Sequence, residues 1–557
     1  MQGLYDPPHG GRGTIPFDIF AMLLQLLDIR ADVRALMLAR KDIYAEGARR
    51  LLKFPITISD DRGLVSLCQF ILRDPLDRAP GLRQLHISIP LKLRHFFEEY
   101  RVYRDDPELR GVPLLLRVLP KVTRLEDLSI DWCEEFLERD NGLIPLIASL
   151  GTLRRLCISS FGLLSCDLLA SLRSPLQELE VDCWMSDIGC WGKEAIPLAG
   201  LMAIIHGHSQ TLEILIVWFS SHVESRDATR GWYQQLREFP CLHSLSLRSP
   251  GEVDLELLVG LFPNLRSLNI TDIWGVEDAD VENMHDDNME QPCWPSLEEV
   301  SGDVDALHAL GLTSSVRRVD ATCPLNYDSD REWRLHQFLG QTGPTHLFLH
   351  FGYDIRNHYG YTSEDETWAL DDRDAFANLL DSATRSEKLT HLALDICLNL
   401  ETLEDSPSLL NILLEVWRDQ QSHHLTFLVL RLDTSLPGVN TAPGEEEIDD
   451  IDAASAKDCF APFFQHPASC AEDLALAIPT LMYVSLQIKS SSPAFWRAHR
   501  TGDRLQMENI DPTEGQKLAT SEGLDFAQRI FGEPSRYSFD EYDLLHCTVE
   551  YPRGVSS

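Results

Sequence analysis

Long apolar runs are missing from this chain. No stretch approaches the roughly 18 consecutive apolar residues a bilayer span requires. The start, Met1-Gln2-Gly3-Leu4-Tyr5-Asp6-Pro7-Pro8, has no basic stretch leading into an apolar one, as a secretory leader would. Positive charge is scarce as well: 49 lysines and arginines stand against 87 aspartates and glutamates, a net charge of -38. Such a surface repels phosphate backbones and anionic lipid headgroups, which argues against nucleic acid and membrane as partners. A basic protein segment is the electrostatically complementary ligand. The 13 cysteines are odd in number and sit in apolar strings such as Leu67-Cys68-Gln69-Phe70, which suits buried reduced thiols better than a disulfide framework.

Catalytic signatures are equally absent. There is no G-x-S-x-G elbow, P-loop, H-E-x-x-H or pair of C-x-x-C motifs. Gly10-Gly11-Arg12-Gly13 has no strand before it to make a phosphate cradle. His206 and His208 with Cys183 and Cys190 lack regular ligand spacing. The expectation is a soluble protein of the cytoplasm, the nucleus or both, with no enzymatic activity, cofactor or metal.

What is present is repetition. Leucine, two variable residues, leucine, one variable residue and an aliphatic residue recur along most of the chain. Clear copies are Leu82-Arg83-Gln84-Leu85-His86-Ile87, Leu125…Leu128…Ile130, Leu153…Leu156…Ile158, Leu176…Leu179…Val181, Leu212…Leu215…Val217, Leu242…Leu245…Leu247 and Leu265…Leu268…Ile270. Leu297…Val300 and Val316…Val319 are degraded copies. Leu347-Phe348-Leu349, Leu389…Leu392…Leu394, Leu425…Leu428…Leu430 and Leu481…Val484…Leu486 follow. The alternation closing each phrase is the period of a strand with one buried face. Segments of helical spacing separate the copies, for example Leu255–Phe262, closed by Pro263-Asn264. A helix–turn–strand unit repeated a dozen times buries its apolar face only against its neighbours, with parallel strands on one wall and helices on the other.

These units resemble leucine-rich repeats over roughly residues 80 to 488, although the asparagine or cysteine that usually follows the strand is matched only by Cys133 and Cys397. The expected fold class is α/β: an irregular leucine-rich-repeat solenoid over 55–488. A flexible leader (1–13) and a small three-helix segment (14–54) precede it, and a C-terminal cap or tail (489–557) follows. Two acidic stretches without an apolar face, 275–292 and 433–456, read as solvated or disordered insertions.

The segment before the repeats begins Ile15-Pro16-Phe17-Asp18-Ile19 and continues with Leu23-Leu24-x-x-Leu27, then Val33, Leu36, Leu38, Ala39-Arg40-Lys41 and Tyr44. Proline suits a helix start, and Asp32 can cap a second helix. So few residues cannot bury this much leucine alone, so the module wants a partner surface. The segment resembles an F-box. That resemblance implies docking to a Skp-type adaptor, and through it to a cullin, by a face of Ile15, Pro16, Phe17, Ile19, Leu23, Leu24 and Leu27, extended by Val33, Leu36 and Leu38. The alternative from the residues themselves is a helical cap on an adaptor-free interaction scaffold.

In each repeat strand, the residue between the last two aliphatics and the one after them point away from the helices. Those positions hold Asp131, Asp182 and Asp395, the aromatics Trp218 and Phe348, and His350. They are the expected client-binding wall, with the aromatics as exposed anchors and the acids attracting a basic segment. The combined expectation is the substrate-recognition subunit of a cullin–RING (SCF-type) ubiquitin ligase.

Overall fold

The computed structural model describes residues 17–39, 43–89, 109–183, 198–219, 237–248, 250, 253–271, 273, 278–324, 329–352, 373–397, 409–419, 424–433, 462–463, 465–488, 493–502 and 504–524. The acidic stretch 433–456 lies almost entirely outside these residues, as do Ile15, Pro16 and the leader 1–13. The chain forms two compact units, Met1–Lys193 with Ile204–Leu212, and Glu194–Ala203 with Glu213–Ser557.

The first unit starts with three short helices, α1 (Phe17–Leu26), α2 (Arg30–Ala39) and α3 (Tyr44–Leu51). Five strands follow: β1 (Ile56–Ile58), β2 (Gln84–Ile87), β3 (Asp127–Ile130), β4 (Arg155–Ile158) and β5 (Glu178–Asp182). Each is parallel to the one before it, in a register that carries the repeat from strand to strand: Leu85 opposite Leu128, Leu128 opposite Leu156, Leu156 opposite Leu179. The aliphatic row is buried on the side of the helices. The strand β1 has no leucine phrase and was not anticipated.

The second unit continues the pattern with β6 (Ile214–Trp218), β7 (Ser244–Arg248), β8 (Ser267–Thr271), β9 (Glu299–Asp303), β10 (Arg318–Pro324), β11 (His346–Gly352), β12 (His391–Cys397), β13 (Phe427–Asp433) and β14 (Tyr483–Ile488), all parallel. The degraded copies supply β9 and β10 in full register, so valine substitutes for leucine without loss of the ladder. Threonines stitch successive repeats: Thr345 Oγ1 donates to the Arg317 carbonyl (3.1 Å), Thr390 Oγ1 to Thr345 (3.2 Å) and Thr426 Oγ1 to Thr390 (3.0 Å). Each hydroxyl shares a carbonyl that already accepts two backbone amides of the next repeat, so these bonds reinforce the junction between repeats.

Two antiparallel strands, β15 (Ala494–Thr501) and β16 (Arg504–Ile510), then extend the sheet, and a helix, Pro512–Ser521, follows them. Asp511 caps that helix, accepting from the Thr513 and Glu514 amides.

The part of the acidic stretch 275–292 that lies within the described residues, 278–292, is not a solvated insertion. Residues Asp278–Met289 form a helix that buries Val281, Met284, His285 and Asn288. The spacing is helical, but half of the stripe is polar and leaves no apolar face to see. Burial is tolerated because the polar groups are bonded. Asn288 donates to the carbonyls of Val253 (3.1 Å) and Ala309 (2.8 Å) and accepts from the Leu255 amide (3.2 Å), while His285 Nδ1 donates to the His308 carbonyl (2.8 Å). Arg334 gathers Asp278, Glu282 and Asp305 at 2.7 to 3.0 Å, which offsets much of the local negative charge.

Among the described residues no helix is long and apolar enough to cross a membrane. Cys68, Cys133, Cys157, Cys183, Cys323 and Cys470 are buried as thiols, outside any disulfide among the described residues. Burial pushes the Cys68 thiol up to about 12, which keeps it protonated and unreactive.

Candidate binding surfaces

The three N-terminal helices close a small core of Leu24, Val33, Met37, Ile43 and Ala48, with Phe20, Leu27, Leu36, Leu51, Phe54 and Phe70 packed around it. Leu24 and Val33 are fully buried, so they hold the segment together instead of lying on a contact face. Leu27 and Leu36 are half-buried. The residues left outside form an apolar surface: Phe17, Ile19 and Leu23 are exposed, Met22 is 66% exposed, Leu26 72% and Leu38 90%. Met22, Leu26 and Ile29 are exposed as well, though the expected docking face included none of them. Met22 and Leu26 fall on the outer side of α1, whose inner side the segment needs for its own core, and Ile29 lies in the turn after it. The segment also abuts the first repeat. Phe70 of the following helix packs into its core, and Gly81 lies so close to Arg49 and Leu52 that a side chain there would press on both. A capping contact and an exposed apolar face therefore coexist in about forty residues.

The helix-free face of β2–β5 is dominated by carboxylates. Asp127, Glu178 and Glu180 surround Arg155, whose guanidinium lies 3.9, 3.0 and 3.7 Å from them. Burial pushes the carboxyls of Asp127 and Glu178 above their ordinary value; Arg155 opposes this at both, and Asp127 and Glu180 add to the rise at Glu178. Asp131 is nearly buried, and its Oδ2 lies 3.2 Å from His86 Nε2, while its Oδ1 has no hydrogen-bond partner. Asp182, at the end of β5, is half-buried on the same face. Arg155 is shared by three carboxylates, so negative potential accumulates around it.

On the corresponding face of the second unit, the residues expected to bind a client sit in a different setting. Trp218 is half-buried beneath Arg248, whose guanidinium is 3.8 Å from the ring centroid. Phe348 is not an exposed anchor. It is 0% exposed and belongs to a cluster with Ala393, Phe427, Val429 and Leu524, against which Tyr483 and Leu518 pack. The cover comes from beyond the repeats, from residues of the C-terminal helix and just past it, which is why local alternation could not foresee it. His350 lies between two carboxylates, Asp320 at 2.7 Å and Asp395 at 3.2 Å, and Arg431 is 3.6 Å from Asp395. His350 and Asp395 are thus engaged with each other and not presented singly.

Beside Phe348 runs an aromatic row at matching register. His346 stacks on His391 with ring centroids 4.1 Å apart, His391 on Phe427 at 5.8 Å and Phe427 on Tyr483 at 5.1 Å. Burial pushes the His346 imidazole down to about 4, and the charges of His391, Arg317 and Arg318 add to this. Burial lowers His391 too, while Glu522, 3.4 Å away, pulls it back up. Arg318 is 6% exposed and lies 4.1 Å over the Phe348 ring, and its Nε and Nη2 have no hydrogen-bond partner. Farther along, Asn269 links Ser246 and Ser301 by two 2.9 Å bonds across β7, β8 and β9.

No family model matches the chain, and no curated protein does. Among solved structures it is similar to a leucine-rich repeat-containing protein, LegL7, from Legionella pneumophila. That likeness has 13% identity and a TM-score of 0.30, and covers 60% of this chain and 96% of that one. It is also similar to a chain of the Rad7 and Elc1 complex in yeast, with 14% identity and a TM-score of 0.32, over 78% of this chain and 92% of that one. At these scores the likenesses carry no argument about function. The repeat architecture stands on the register of the strands themselves.

Proposed function

We propose that this protein is a non-enzymatic receptor that joins two partners, an adaptor held by the N-terminal helices and a client held by the repeats. The observation that carries the reading is the exposed apolar face of Phe17, Ile19, Met22, Leu23, Leu26 and Leu38. Large apolar side chains left in water on a short helical segment mark a surface that a partner would cover, and on α1 the helical period brings Ile19, Met22, Leu23 and Leu26 to one side. With the F-box resemblance of the same segment, the adaptor is of the Skp type, and a cullin–RING ligase would follow through it. The client side rests on the face of β2–β5, where Asp127, Asp131, Glu178, Glu180 and Asp182 favour a basic segment. The chain's role is positional: it holds the client while transfer occurs on other subunits. The two halves of the reading separate in one experiment. A pull-down with a purified Skp-type adaptor should succeed with the parent and fail with Met22→Asp/Leu26→Asp, which touches no core position. Retention by that variant, or no capture by a folded parent, would reduce the segment to the cap that its contact with Phe70 and Gly81 already makes it in part.

A further inference from the structure

The repeat face of β11–β13 is already filled by the chain's own C-terminal segment, and the way it is filled has the form of ligand recognition. Leu524 is 0% exposed in a socket of Phe348, Ala393, Phe427 and Val429. Two residues earlier, Glu522 Oε2 lies 3.4 Å from His391 Nε2. Between them Gly523 has a positive φ of 70°, which turns the chain sharply from the helix Pro512–Ser521 so that carboxylate and leucine reach the same face. The helix itself is seated by small residues: Ala519 is buried against Phe495 and Ile510, and a Cβ at Gly515 would run into the Phe495 ring. The resident segment does not complete the site. Arg318, stacked on the wall of the same socket, keeps Nε and Nη2 without hydrogen-bond partners. A buried guanidinium with unfilled donors favours an additional carboxylate.

We propose that the helix-free face of β11–β13 is a peptide-binding groove for segments carrying an acidic residue two positions before a leucine, and that Glu522–Leu524 occupies it as a tethered, displaceable ligand. Past the helix the segment is held by the Leu524 side chain, by the Glu522 carboxylate beside His391 and by the Glu522 backbone bonded to His346, and tethering supports these contacts by raising the local concentration of the segment. A competing segment that also presents a carboxylate to Arg318 gains an interaction that the resident segment lacks. This groove differs in chemistry from the acidic face of β2–β5, and the inference does not depend on what the N-terminal helices bind.

The test uses the full chain, the double variant Glu522→Lys/Leu524→Asp, and a fluorescein-labelled synthetic peptide with the sequence of residues 514–524. Peptide binding is read by anisotropy, and release of the chain's own segment by hydrogen exchange over 512–524. The expected result is increased exchange in the variant and peptide binding at least tenfold tighter than to the parent. Adding Ala393→Arg, which fills the socket, should abolish that binding. The proposal is overturned if the peptide binds parent and variant equally or neither. It is overturned as well if the segment stays protected in the variant, or if releasing it unfolds the protein, because Glu522–Leu524 is then a permanent part of the fold.

Discussion

The face of β2–β5 and the face of β11–β14 are built by the same alternation, yet they present opposite problems to a ligand. In the first, one guanidinium, Arg155, is shared by Asp127, Glu178 and Glu180, so carboxylates outnumber the cation they surround. In the second, histidine and aromatic rings stack in register, and a segment from outside the repeats seals Phe348 from water. The repeat specifies where a side chain points but not what meets it there. The first face is an electrostatic surface that a basic ligand would relieve. The second is a socket whose apolar part is filled and whose cationic part, at Arg318, is not.

The common framework should respond alike in both regions, and that is where the largest effect is expected. Leu156→Ala in β4 and Leu394→Ala in β12 each remove a fully buried side chain, and each should cost about 2–5 kcal/mol in urea unfolding. A much smaller loss for one would show that its row is not packed as the other is. The arginines should separate the faces. Arg155→Met strands three half-buried carboxylates and should cost roughly 1–3 kcal/mol, whereas Arg318→Met removes a guanidinium with unfilled donors and should stay within about 1 kcal/mol of the parent.

Acid sharpens the contrast by a smaller margin. His346 is held at about 4 in the folded chain, below the usual imidazole value near 6.5, so between those limits the unfolded chain binds more protons. Stability contributed there is present above the unfolded value and is lost as pH falls. Acidification from pH 7 to 5 should therefore destabilise the β11–β12 region by roughly 1–2 kcal/mol, visible as faster hydrogen exchange in those strands. On the other face, Asp127 and Glu178 are raised by burial, so they protonate at higher pH than ordinary carboxyls as acid is added. Affinity for a basic peptide should weaken as acid is added, beginning above the pH at which ordinary carboxyls protonate, and a titration that strengthens instead would refute the acidic face as its binding site. The smallest stability change is expected at the N-terminal helices. Met22→Ala and Leu26→Ala should stay within about 0.5 kcal/mol in thermal unfolding, since both side chains are already in water.

Most of the repeat strands could be read from residues because leucine at fixed offsets is both the signal and the cause of the ladder. Even Val300 and Val319, which dilute the phrase, occupy the places their offsets assign. The helix Asp278–Met289 could not be read, since Asn288 and His285 replace apolar residues on its buried side and only their distant partners make that burial tolerable. The N-terminal segment was legible as helices with too much leucine. Which leucines close its core and which face out was not, because Leu23 and Leu24 are neighbours in sequence and differ only in the direction they point.

Alternation along the chain therefore determined the parallel repeat, its aliphatic row and the list of residues on the opposite face, since period and offset are local properties. Only the tertiary structure decided that Phe348 is sealed, that His350 sits between Asp320 and Asp395, and that Arg318 keeps donors unfilled. Those outcomes depend on segments tens to hundreds of residues apart meeting across strands. Burial is a property of the neighbours a side chain acquires, which no local pattern encodes.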